Sequence, residues 1–212
     1  MSPSNLAMTD VLLIQFQNHP QERELIGKML LAYGELEFMF LDLLRATLGN
    51  DVMTAVRTLY RVRSETMRME IGDALIRPRI AEQSLTQMYE EARCAMRQCK
   101  SIRNNYAHAQ WISHDGTLRF GNLDAAAKGH HESGKIDFRP LALPTLQRQY
   151  AYFAYTGHAL LWVSDQYRIK TGQERSVQGE IPKPKKLPVV SLDSHQEARS
   201  RQSRKKAQKR PQ

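Results

Sequence analysis

A chain of 212 residues that is 41% hydrophobic, 25% charged and formally +9 has enough apolar matter for one buried core and a tail. No apolar run approaches the roughly 20 residues needed to cross a bilayer, and the opening MSPSNLAMTDVLLIQF has no basic segment ahead of its apolar stretch, so neither a membrane partner nor export is expected. The two cysteines, Cys94 and Cys99, lie on one predicted helix with side chains pointing apart; they cannot bridge, which fits a reducing, cytoplasmic setting.

Residues 1–21 read as a leader. From Glu22 to Leu48, Ile26, Met29, Leu30, Tyr33, Leu36, Phe40, Leu41 and Leu44 recur at three-to-four spacing, the period of an amphipathic helix, and Gly49-Asn50 is a stop signal. Asp51 is placed to cap a short helix through Val52, Ala55, Val56 and Leu59. Another helix begins near Ser64, and Pro78 is expected to close it, because proline removes a donor and restricts the residue before it. Together these two make a broken helix. Leu85, Met88, Tyr89, Ala92, Ala95, Met96, Cys99, Ile102 and Tyr106 then form one helical stripe.

After that stripe the period changes. Trp111, Ile112, Leu118 and Phe120 flank Asp115-Gly116, a hairpin signal. Residues 121–139, with three glycines and the His130-His131 pair, read as an exposed loop. Pro144 opens a last helix through Leu146, Tyr150, Phe153, Leu160 and Tyr167, ending near Thr171-Gly172. The expected fold class is all-α: a four-to-five-helix bundle with a small hairpin or loop insertion before the last helix, over residues 22–172.

Most of the positive charge lies beyond this body. From Lys183 to Arg210 there are ten Lys and Arg against Asp193 and Glu197, whereas positions 1–182 hold 21 basic and 20 acidic residues. Residues 173–212 therefore read as a disordered basic tail. Such an arm attracts polyanions by counterion release without reading their sequence; its alternative role is solubility.

The segment KSIRNNYAHAQW, Lys100 to Trp111, places Arg103 and His108 at the end of a helix otherwise rich in core residues. A guanidinium can hold a phosphate through two parallel hydrogen bonds, and an imidazole can move a proton near neutral pH, so the pair suits a phosphodiester. The competing structural roles are an ion pair from Arg103 to Glu35 or Glu37, and His108 as a cation at a helix C-terminus. His114, His130 and His131 have no carboxylate or cysteine spacing that suggests a metal site, so no metal or other cofactor is expected. Trp111, Trp162, Tyr150, Tyr152 and Tyr155 read as packing residues.

RNNYAH resembles the signature of the HEPN superfamily, in which Arg and His are separated by four to six residues and a polar residue follows the Arg; here four intervene and Asn104 is polar. The resemblance extends to the order of elements over about residues 22–170: a long first helix containing GELEFMFLDLL, a broken middle helix, the motif late in the next major helix, and a closing helix. It implies a metal-independent endoribonuclease whose site forms where two motifs meet in a homodimer. His108 would then be general acid or base, Arg103 would stabilise phosphate charge, and Asn104 would orient one or the other. Asn105, Lys100 and Tyr106 would contact RNA, although Tyr106 could equally pack. A toxin or antiviral-defence role, with an antitoxin or regulatory partner, is implied in the same way. Members controlled by nucleotide addition carry a tyrosine two residues after the histidine; Gln110 stands there, a departure that removes support for that control.

Overall fold

The structure, a computed structural model, describes residues 13–123, 136–175 and 177–190. Among these are five helices, α1 (Pro20–Thr47), α2 (Val52–Tyr60), α3 (Glu65–Glu82), α4 (Thr86–Ala107) and α5 (Leu143–Thr171), and three strands, β1 (Ala109–His114), β2 (Thr117–Asn122) and β3 (Arg139–Pro140). The strands form one antiparallel sheet in the order β1-β2-β3. The chain is thus mostly helical but not purely α. The predicted hairpin is there, joined by a third strand of two residues, too short to leave a period of two in the sequence.

The helix ends follow local chemistry. Pro20 occupies the first position of α1, where its missing N–H would have had no partner anyway. Gly49 and Asn50, with φ of 70° and 66°, stop that helix. The Asp51 carboxylate accepts from the Thr54 N–H at 2.9 Å, capping α2 as predicted, and the Ser64 hydroxyl, where the next helix was expected to begin, accepts from the Met67 N–H at 3.3 Å and caps α3.

Pro78 does not close α3, which continues to Glu82. Proline removes one backbone bond, whereas ending the helix there would have withdrawn Ile80, which is fully buried, as is Ile76. Arg77 adds ties to Asp73 and Glu90 beside the proline.

The chain divides into two compact units. Among the described residues the first comprises 13–30, 101–123, 136–150 and 190. Phe16, Ile26, Met29, Ile102, Tyr106, Leu118, Phe120, Leu141 and Leu146 are buried in it. Four rings mesh at its centre: Trp111 lies 5.1 Å from Phe16, 5.6 Å from Tyr106 and 5.7 Å from Phe120, while Tyr106 and Phe120 meet edge to face at 5.4 Å. The β1–β2 loop is Asp115-Gly116, both with positive φ (50° and 67°), the backbone that a two-residue hairpin requires and that glycine adopts without strain.

The second unit comprises residues 31–100 and 151–189. Its core takes Tyr33, Leu36, Phe40, Leu43 and Leu44 from α1, Ile76 and Ile80 from α3, Tyr89, Ala92 and Met96 from α4, and Phe153, Leu160 and Val163 from α5. Polar bonds link the helices: Tyr33 donates to Glu65 at 2.7 Å, Tyr89 to Asp73 at 2.7 Å, and the buried Arg168 guanidinium reaches Asp42 at 3.0 Å and also Ser164. Both cysteines are free; burial pushes the Cys99 thiol up to about 12, while Cys94 is exposed. Residues 177–189 have no helix or strand, yet Pro184 is buried, Lys186 meets Glu91 at 3.1 Å and Lys183 lies over the Trp162 ring. This stretch, read from sequence as part of a disordered tail, therefore makes specific contacts; residues 191–212 lie outside the described residues.

Gly72 of α3 lies directly against Phe40 of α1. A Cβ there would stand 2.5 Å from Cε1 of Phe40, itself buried and unable to swing away freely. Gly72→Ala is accordingly expected to lower stability by about 1–3 kcal/mol through overpacking, against about 1 kcal/mol of helix propensity gained. A thermal melt with unchanged or higher Tm would contradict this packing.

Candidate functional site

The last turn of α4 is fixed from one side. Tyr106, only 2% exposed, donates its hydroxyl to Oε1 of Gln149 at 2.7 Å and packs its ring on Trp111 and Phe120. With Tyr106 turned into the core, its neighbours face outward, as the helical period dictates. Asn104, Asn105, Ala107 and His108 line an open cleft of about 750 Å³, closed on the sheet side by Ala109, Gln110, Asn122 and Leu123. Asn122 arrives there by register, because it pairs with Ala109 across the hairpin.

His108 follows directly on α4; its backbone N–H still bonds to the Asn104 carbonyl at 3.2 Å, and its side chain is exposed. This is also the place where a cation favours the helix C-terminus. Arg103 is half-buried and does not line the cleft, but its Nη1 donates to Oδ1 of Asn104 at 2.7 Å, so the guanidinium meets the cleft through a carboxamide that does. Nδ2 of Asn105 donates to the Ser101 carbonyl at 2.8 Å.

Of the six residues singled out from sequence, the cleft collects Asn104, Asn105 and His108, with Arg103 one bond behind. Tyr106 is core, and its face is covered by other rings, leaving no platform for a base. Lys100 belongs to the other unit, where it meets Thr66 at 2.9 Å and Glu65 at 3.3 Å. Glu37, a partner considered for Arg103, is bonded by Arg68 at 3.2 Å. Trp111, Tyr152 and Tyr155 pack as expected, Tyr152 and Tyr155 with ring centroids 5.7 Å apart. His114 lies at the exposed end of β1, 2.9 Å from Asp115, and His130 and His131 lie outside the described residues. Among the described residues no cluster of three or more His, Cys, Asp or Glu could hold a metal ion, and no helix is long and apolar enough to cross a membrane.

Sequence reasoning did not place Gln110, two residues after His108, in the site, and it missed Asn122, which lines the cleft only through the sheet register. It also missed His19. That buried imidazole stands 2.9 Å from the Ser113 hydroxyl through Nε2 and 3.9 Å from Glu22 through Nδ1, fastening β1 to the start of α1. The two residues are 94 positions apart, and no local pattern announces the bond. Comparison with family models, with curated proteins and with solved structures gives no match.

Proposed function

We propose that this chain is a HEPN-like, metal-independent endoribonuclease acting in the cytoplasm as a homodimer. The observation that carries the reading is the junction of α4 and β1, where an exposed imidazole and the carboxamide held by Arg103 share one open cleft. RNA supplies its own nucleophile, the 2'-hydroxyl beside each phosphate, so the protein's task is proton transfer and charge stabilisation. The 2'-oxygen bonds to phosphorus as the bond to the 5'-oxygen breaks. His108 takes the proton from the first or delivers one to the second, and a guanidinium from Arg103 meets the charge on the non-bridging oxygens. The products are a 2',3'-cyclic phosphate and a 5'-hydroxyl.

A dimer suits this arrangement because residues five apart on an ideal helix point about 140° away from each other. Arg103 of one copy and His108 of a second would complete a site that either copy alone supplies poorly. The basic residues beyond Lys183 would raise RNA affinity without selecting sequence. A role as a toxin or phage-defence effector, with an antitoxin or sensor as partner, belongs to the same proposal.

One observation favours a second reading, a noncatalytic RNA- or nucleotide-binding module or dimeric scaffold: Arg103 is engaged by Asn104 and stands back from the cleft. End-labelled single-stranded RNA incubated with the protein in EDTA distinguishes the readings. The nuclease requires cyclic-phosphate products, lost in both His108→Ala and Arg103→Ala, and no cutting of the same sequence as DNA. Retention without cutting supports the module.

A further inference from the structure

The polar lining of the cleft at the α4–β1 junction, set among Ala107, Ala109 and Leu123, is almost wholly of one chemical kind. Beside His108 stand four carboxamides, Asn104, Asn105, Gln110 and Asn122, with no Lys, Arg, Asp or Glu among the described lining residues. A pocket built only to hold phosphate would place cations there. Carboxamides carry no net charge but present a donor and an acceptor side by side, the pattern found on the edge of a nucleobase.

Two of the four have their orientation fixed by their partners. A guanidinium only donates, so the bond from Arg103 assigns the Asn104 oxygen and leaves its Nδ2 as a donor. A backbone carbonyl only accepts, so the bond to Ser101 assigns the Asn105 nitrogen and leaves its Oδ1 as an acceptor. Neither remaining atom is bonded within the described residues. The end of α4 thus offers the cleft one oriented donor and one oriented acceptor, on consecutive residues.

We infer that this cleft holds a single unpaired nucleobase, with adenine preferred, and thereby positions the adjoining phosphodiester at His108. Adenine is the one base that presents an acceptor next to a donor on both its Watson–Crick and its Hoogsteen edge, N1 with the 6-amino group and N7 with the same amino group. Guanine offers two acceptors on its N7 edge, and the pyrimidines have only one such edge. Within a duplex the Watson–Crick edge is occupied and stacking hides the base face, so the bound strand is single. This inference rests on the reading of RNA as the ligand, but it concerns binding and is tested without cleavage.

The test uses the full chain and fluorescent 2'-O-methyl RNA octamers, which lack the nucleophile: an all-uridine strand, and the same strand carrying one central A, G or C. Fluorescence anisotropy is expected to show the A-containing strand binding about tenfold more tightly than the others. Asn105→Ala should remove that preference while weakening the all-uridine strand far less, with circular dichroism confirming that the variant is folded. Equal affinity for all four strands would overturn the inference, as would an A preference that survives Asn105→Ala or the absence of any binding. Cutting of unmodified RNA in EDTA with no base preference would leave the nuclease reading standing and remove this one; base-selective binding without cutting would do the reverse.

Discussion

His108→Ala is expected to lower the rate of RNA cleavage by about 10²- to 10⁴-fold, the range attributed to one positioned acid or base. The loss should fall on kcat, with RNA affinity nearly unchanged. His108 is exposed at the end of α4, so removing its side chain should cost little stability. An inactive His108→Ala protein with an unchanged melting curve therefore reports on chemistry. Arg103→Ala is a less clean substitution, because it also frees the oxygen of Asn104 to turn. Retention of cutting at the original rate by either variant would remove the proposed site. A mixture of the two inactive variants gives a sharper result: if one copy supplies Arg103 and another His108, mixed dimers regain one intact site and part of the activity.

The second large effect concerns stability. Arg168→Ala is expected to lower unfolding free energy by about 3–5 kcal/mol, the range for breaking a buried ion pair by deleting one side. Its guanidinium is 1% exposed, stands 3.0 Å from Asp42 and also bonds Ser164, tying α5 to α1 within the second unit. The loss leaves the Asp42 carboxylate with Arg45 at 2.7 Å and the Ser164 hydroxyl at 3.0 Å. Adding Asp42→Ala to Arg168→Ala should then cost much less than Asp42→Ala does alone, because the shared interaction is already gone. Urea denaturation of the four proteins measures this directly, and simple additivity would show that the pair is not the source of the effect.

The parts of the fold that could be read from sequence were those dictated by nearby residues. The three-to-four spacing of Tyr33, Leu36, Phe40 and Leu44 marks a helix because those same side chains go into a core. Asp51, Ser64 and Asp115-Gly116 act on backbone groups within three residues of themselves, so their roles survive any tertiary context. Pro78 was misread because local cost gave way to burial on either side of it. β3 was missed because two residues carry no period. The division into two units is equally illegible, since its boundaries near residues 30, 100 and 150 fall within continuous helices.

The candidate site divides the same way. Asn104, Asn105 and His108 form one short run, and the helical period that sends Tyr106 inward sends them outward. Gln110 follows them along the chain, whereas Asn122 joins them through a strand register, Ala109 opposite Asn122, that no spacing rule supplies. Lys100 illustrates the opposite error: closeness in sequence suggested a shared role, but its ammonium is taken by Thr66 and Glu65 instead.

The chain's two tryptophans fall one to each unit, Trp111 amid the rings of Phe16, Tyr106 and Phe120, and Trp162 beneath Lys183. Nature has thereby installed a separate optical gauge in each half. Replacing either indole with phenylalanine leaves a single emitter, so the same denaturation followed in both versions tells whether the halves melt together or in turn.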